Sequence, residues 1–207
     1  MALAAANNLV IISETIGSTS VSTAGVFNLM NSATPIISFE AFMWDEAKWT
    51  SPTQFVEFGN TRADQAAVPA ALATNAWDTL HITNPGHMAA GGLAGPVVVY
   101  NTPFSVSYGT PTGDAAVIAT ADAAGLYPSI FAYDAGDMLV DGSMAPALRM
   151  TMYFGQGPAL GGVWTSDIIT PEGFMLFDAA VNYALIPEPV TLALLGVGGV
   201  ALLRRKK

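Results

Sequence analysis

Fourteen consecutive residues without a charge, Val190 to Leu203, stand between Ile186-Pro187-Glu188-Pro189 and Arg204-Arg205-Lys206-Lys207. As a helix this run is about 21 Å long, at 1.5 Å per residue. A bilayer core is roughly 30 Å thick. The run therefore spans a membrane only if its flanks snorkel or the bilayer thins locally. Its membrane-anchoring side chains are Val190, Leu192, Leu194, Leu195, Val197, Val200, Leu202 and Leu203. Four cations directly after an apolar helix remain on the cytoplasmic side, so the body before it belongs on the other side. Pro187 and Pro189 hold the approach to the helix extended. A buried C-terminal helix would not open on Pro-Glu-Pro and close on four cations.

Pro187-Glu188-Pro189, the short apolar run and the basic end resemble the PEP-CTERM sorting signal in order, spacing and composition. The resemblance covers residues 186–207 and makes Glu188 and its flanking prolines recognition elements. It implies sorting by exosortase, a membrane Cys peptidase, and delivery to the cell surface or the extracellular polysaccharide matrix. Export also needs a signal peptide. The stretch Met1-Ala2-Leu3-Ala4-Ala5-Ala6-Asn7-Asn8 has no Lys or Arg, and Leu9–Ile12 is too short for an apolar signal core. The sequence thus predicts that a longer amino-terminal segment precedes Met1.

Charge separates the tail from the body. Residues 1–186 hold 15 of the 16 acidic residues and only three cations, Lys48, Arg62 and Arg149, a net charge of −12. Such a body repels phosphate backbones and argues against nucleic acid as a partner. The chain has no cysteine, which excludes disulfides, thiolate metal sites and Cys nucleophiles. Hydrophobic residues make up 52% of its 207 residues, enough to bury a sizeable core. The domain division is a body over 1–185 and a sorting and anchoring tail over 186–207.

Within the body, Leu9–Ser13 and Pro35–Glu40 are short apolar runs of the kind buried in parallel sheets. A helix is predicted over Ser18–Asn31 and a short one over Ala41–Trp49. Further strands are predicted at Thr79–Thr83, Pro96–Tyr100, Phe104–Tyr108, Ala116–Ala121, Ser129–Tyr133 and Arg149–Phe154. Pro171–Leu185 reads as a closing helix with Thr170 as its cap. Strand, helix, strand, helix is the pattern of α/β layering. The strand-rich centre also fits an all-β sandwich, which the early strand–helix–strand and the late amphipathic helix disfavour.

Four segments carry a second resemblance: Leu9–Glu14, Thr34–Glu40, Ile82–His87 and Pro171–Val181. They look like the trehalose-utilisation (ThuA-like) and class I glutamine-amidotransferase-like group of secreted bacterial domains. This resemblance implies a three-layer flavodoxin-like body with a mostly parallel sheet. It also implies a βα unit ahead of Leu9, in line with a longer amino terminus. The amidotransferase Cys-His-Glu triad is not carried over, because there is no Cys.

Candidate site residues follow from these elements. Ser13, Glu14 and Glu40 fall at carboxyl ends of predicted strands, where open parallel sheets bind ligands; as helix caps they would serve structure alone. His87, after Asn84-Pro85-Gly86, is the better general-base candidate of the two histidines, with a turn role as its plainer explanation. His81 lies inside a strand. Asp134, Asp137 and Asp141 offer oxygens without EF-hand spacing. Arg149 calls for a carboxylate partner or an anion. Trp44, Trp49, Trp77 and Trp164 would stack on sugars only from a shared surface. Gly91-Gly92 and Gly161-Gly162 lack phosphate-loop spacing, no cofactor motif is present, and no His pair has metal spacing. Two readings remain: a non-catalytic surface or matrix module, and a glycan-related enzyme with Glu14, Glu40 and His87 in one pocket.

Overall fold

The computed structural model describes residues 6–18, 29–61, 69, 70, 72, 77–112, 114–155 and 165–186. Its main sheet has seven strands: β1 (Val10–Ile12), β2 (Ile36–Ser38), β4 (Thr79–Ile82), β5 (Gly95–Val98), β7 (Ala116–Thr120), β8 (Pro128–Tyr133) and β9 (Arg149–Thr151). They lie side by side in the order β1-β2-β9-β8-β7-β4-β5. A separate two-stranded ribbon pairs β3 (Phe58–Asn60) with β6 (Ser107–Gly109). Two helices close the described chain, α1 (Thr165–Ile168) and α2 (Pro171–Ala184).

The centre of the sheet explains its layering. All six residues of Pro128-Ser129-Ile130-Phe131-Ala132-Tyr133 are buried. Side chains alternate across a strand, so this run must face apolar partners on both sides. Ile130 and Ala132 join one core, with Ile37, Met150, Leu80, Ile118 and the α2 residues Leu176 and Ala180. Phe131 and Tyr133 join a second core, with Ile36, Met43, Trp44, Trp49 and Leu139. One core lies under α2. The other lies under the turns after β2 and the hairpin after β8. The body is therefore mixed α/β with a covered sheet, not two facing sheets of a sandwich.

The sheet is more antiparallel than a flavodoxin-like sheet. Parallel pairing is confined to β1–β2 and β2–β9. The pairs β9–β8, β8–β7, β7–β4 and β4–β5 are antiparallel. The segments that join consecutive strands of this half are turns and 3₁₀ segments, without the helix that usually carries a parallel crossover. Between β7 and β8 the chain turns on Asp122, whose carboxylate accepts the amides of Ala124, Leu126 and Tyr127. Between β4 and β5 it turns through a 3₁₀ segment at Met88–Ala90.

Most predicted strands stand within a residue or two of their expected bounds. Ala41–Trp49 is not a helix: a 3₁₀ turn spans Ala41–Met43 and turns follow to Lys48. Lys48 takes a left-handed φ of 65°. That reversal returns Trp49 to the core beside Trp44, which a regular helix would not do. The segment predicted at Phe104–Tyr108 leaves the main sheet to pair with β3, which the sequence did not suggest. The helix predicted over Ser18–Asn31 falls largely outside the described residues, as do residues 187–207 with the anchoring segment. Among the described residues, no helix is long and apolar enough to cross a membrane.

Helix α2 forms where its capping residues place it. Thr170 Oγ1 accepts the Gly173 amide at 3.0 Å and donates to the Val98 carbonyl at 2.7 Å. Pro171 opens the helix, where its missing N–H costs nothing. Gly173, Leu176, Ala180 and Ala184 recur every three or four residues on the buried face. Gly173 is there for close approach: a Cβ would sit 2.7 Å from both the Tyr153 hydroxyl and the Val99 carbonyl. Gly173→Ala should therefore cost about 2 kcal/mol in chemical denaturation. Gly17→Ala, which meets nothing within 4 Å, should be nearly neutral by the same measurement.

Candidate binding cleft

Strand directions decide which candidate residues can meet. β1 and β2 run one way, and β4 and β8 run the other. Ser13, Glu14 and Glu40 follow β1 and β2 at one end of the sheet, whereas His87 follows β4 at the opposite end. The structure does not bring Glu14 and Glu40 into a pocket with His87.

Each of these residues has a local task. Ser13 Oγ donates to Glu14 Oε2 at 3.1 Å and accepts the Thr15 amide at 3.3 Å. Glu40 is buried, and its Oε1 accepts the Phe42 amide at 3.0 Å, capping the 3₁₀ turn. His87 Nδ1 accepts the Ala89 amide at 3.1 Å, capping the next one. That bond occupies the lone pair a general base would use and leaves Nε2 as the protonated nitrogen. The ring meets Tyr183 edge-on at 4.7 Å, and the Tyr183 hydroxyl donates to Asp134 Oδ1 at 2.6 Å. Burial lowers the His87 pKa, partly offset by the nearby Asp134 carboxylate.

The remaining candidates divide in the same way. His81 sits half-buried within β4. Trp44 and Trp49 are fully buried, and Trp77 Nε1 donates to the Leu72 carbonyl, so these three present no shared stacking surface. Trp164 and Gly161-Gly162 lie outside the described residues. Asp137 accepts the Asp134 amide at 2.7 Å. Asp141 accepts both the amide and the hydroxyl of Ser143, at 2.9 and 2.6 Å, which hold its pKa below the usual carboxylate value. Among the described residues, no three His, Cys, Asp or Glu side chains converge on a metal position. Arg149 is buried, and its guanidinium donates to the carbonyls of Met30, Ser32, Thr34, Ala147 and Leu148.

Met30, one of these acceptors, also lines a cleft of about 320 Å³ together with Asn31 and Pro146, which precede β2 and β9. Its polar lining is Asn31, Glu46, Lys48, Asp141 and Ser143; Met30, Leu139 and Met144 supply much of the apolar lining. The cleft lies at the end of the sheet away from Ser13, Glu14 and Glu40. Asp141 is the one acidic residue singled out from sequence that it contains. Asp45 and Glu46 were not singled out; their signal is an adjacent carboxylate pair inside a segment bounded by two buried tryptophans.

The Glu46 carboxyl is pushed up to about 7, first by burial and then by the hydrogen bond and like charge of Asp45, with Lys48 opposing. Asp45 Oδ1 and Glu46 Oε2 are sheltered from water and reached by no donor among the described residues. With both groups ionised, two acceptors face each other; a proton on Glu46 gives the pair a donor.

The His87 cap yields a pH test. Its folded pKa lies below 6.5, so its contribution is intact above pH 6.5 and lost as pH falls through the folded value. His87→Asn keeps an acceptor that does not titrate. Thermal unfolding of the two proteins should diverge only in acid, in favour of Asn, by about 1 kcal/mol or less given the group's exposure. A constant difference across pH would remove the titrating cap. Comparison with family models, with curated proteins and with solved structures finds no match to this chain.

Proposed function

We propose that the chain is an exported protein of the cell surface or extracellular matrix, sorted through residues 186–207, with a non-catalytic binding or structural body. One observation carries the reading: Pro187-Glu188-Pro189, an uncharged run of 14 residues and four cations, in that order. This order keeps the cations in the cytoplasm and offers an extended peptide just outside the membrane. An exosortase-type peptidase is the partner that acts there, the membrane holds the helix in transit, and extracellular polysaccharide is the surrounding matrix. The acidic body suits a soluble module facing that matrix.

The body adds support of a different kind. Glu40 and His87 are engaged as caps, and Glu14 receives the Ser13 hydroxyl. A ThuA-like ancestry would account for the parallel β1–β2–β9 edge, with the antiparallel strands as its departure. It carries no reaction with it.

Fractionation of host cells with an antibody to the body, with and without the peptidase, tests the sorting. The body should be outside the cytoplasm and should change size or location when the peptidase is removed. Deletion of residues 187–207 should abolish surface retention. A body that stays in the cytoplasm of both strains would overturn the reading.

A further inference from the structure

The cleft beside Glu46 joins features that no part of the sorting argument uses. Its walls include the apolar side chains of Met30, Leu139 and Met144. Met144 is 60% exposed although apolar, so one wall is open to an incoming group. On the polar side are Glu46, which belongs to the donor-starved pair with Asp45, and Asp141, whose charge Ser143 stabilises. Among the described residues, no three of these side chains converge on a metal position. Asp141 already takes the Ser143 amide and hydroxyl, whereas Asp45 and Glu46 each keep one oxygen without a donor, and an ammonium group brings three donors on a single positive charge.

We propose that this cleft binds a primary ammonium group on an aliphatic stem, such as a lysine side chain or an alkylamine, with Glu46 receiving the ammonium and Met30, Leu139 and Met144 enclosing the stem. The proposal rests on the reading of the body as a binding module and names its ligand chemistry. Methionine suits the stem: its flexible, polarizable chain adapts to different alkyl lengths. The net charge of −9 favours the approach of cations. Lys48 already stands at the cleft and acts on both Glu46 and Asp141, so it is the resident cation that a ligand must outcompete.

Among the described residues, the charged groups that line the cleft are Glu46, Lys48 and Asp141, with Asp45 beside Glu46, and they set the pH response. A cation prefers the ionised form of Glu46, so binding weakens as pH falls below about 7. From pH 8 to pH 6 the ionised fraction of such a group drops by about tenfold.

The test is a titration of the full chain, labelled with ¹³C at the methionine methyls, with pentylammonium. Pentan-1-ol and pentanoate serve as the neutral and anionic comparators. Pentylammonium should shift the Met30 and Met144 resonances saturably at pH 8, and its affinity should fall by about twofold to fourfold at pH 6. Glu46→Gln should weaken it by about threefold to fivefold, and Lys48→Met should tighten it by a similar factor. Each variant is scored only with its other methyl resonances unmoved, and Lys48→Met still reads the competition if Glu46→Gln does not fold. Equal shifts from pentan-1-ol, an unaltered affinity in both variants, or no shift at all would overturn the proposal. An exported protein inert to pentylammonium would sink the cleft assignment alone, whereas a protein that binds but remains cytoplasmic would sink the sorting reading alone.

Discussion

A buried guanidinium holds the working half of this body together. Arg149 opens β9 in register with Ile36 of β2 and Tyr133 of β8, so it lies where parallel pairing gives way to antiparallel. Taking a charge out of water costs several kcal/mol unless its hydrogen bonds are replaced. Here main-chain carbonyls from 30–34 and 147–148 replace them. The same bonds tie the chain that enters β2 to the chain that enters β9. Met30 and Asn31 on one side, and Pro146 on the other, are thereby fixed as walls of the cleft.

Everything else on that face is arranged around this staple. Trp44 and Trp49 fill the core beneath it, and the Tyr133 hydroxyl donates to the Trp49 carbonyl. The left-handed turn at Lys48 lets its carbonyl accept the Val140 amide, which docks the hairpin after β8. Glu46 is carried along into partial burial beside Asp45, and its raised pKa is the electrostatic cost of that placement. Structure and binding chemistry are in this sense one arrangement: the packing that completes the second core also leaves two carboxylates short of donors.

Local signals were legible in the sequence and long-range ones were not. Thr170-Pro171 and the spacing of Leu176, Ala180 and Ala184 specify α2 within a single segment, and the structure places that helix as expected. The run ending at Tyr133 is visible as a strand because burial on both faces demands an unbroken apolar sequence. Strand direction is different. It depends on what connects the strands, and an Asp122 turn or a 3₁₀ segment reads much like the start of a crossover. Arg149 was expected to meet a carboxylate or an anion; its carbonyl cage includes residues more than a hundred positions away. The pairing of Asp45 with Glu46 was on the page as two letters, but its pKa arises from burial that only the folded chain supplies. The candidates at Glu14, Glu40 and His87 failed to converge because their shared pocket presumed a parallel direction for β4.

Hydrogen exchange on the native chain and on Arg149→Met tests the organising role of the guanidinium most directly. The variant removes the guanidinium from five carbonyls, of which Leu148 keeps the Ile36 amide, a loss of about 3 kcal/mol or more. The account predicts that protection falls first and furthest at 30–36 and 145–151, with the cleft hairpin following, while β4, β5 and β7 stay protected. Unchanged exchange at 30–36, or a loss spread evenly over the whole sheet, would contradict it.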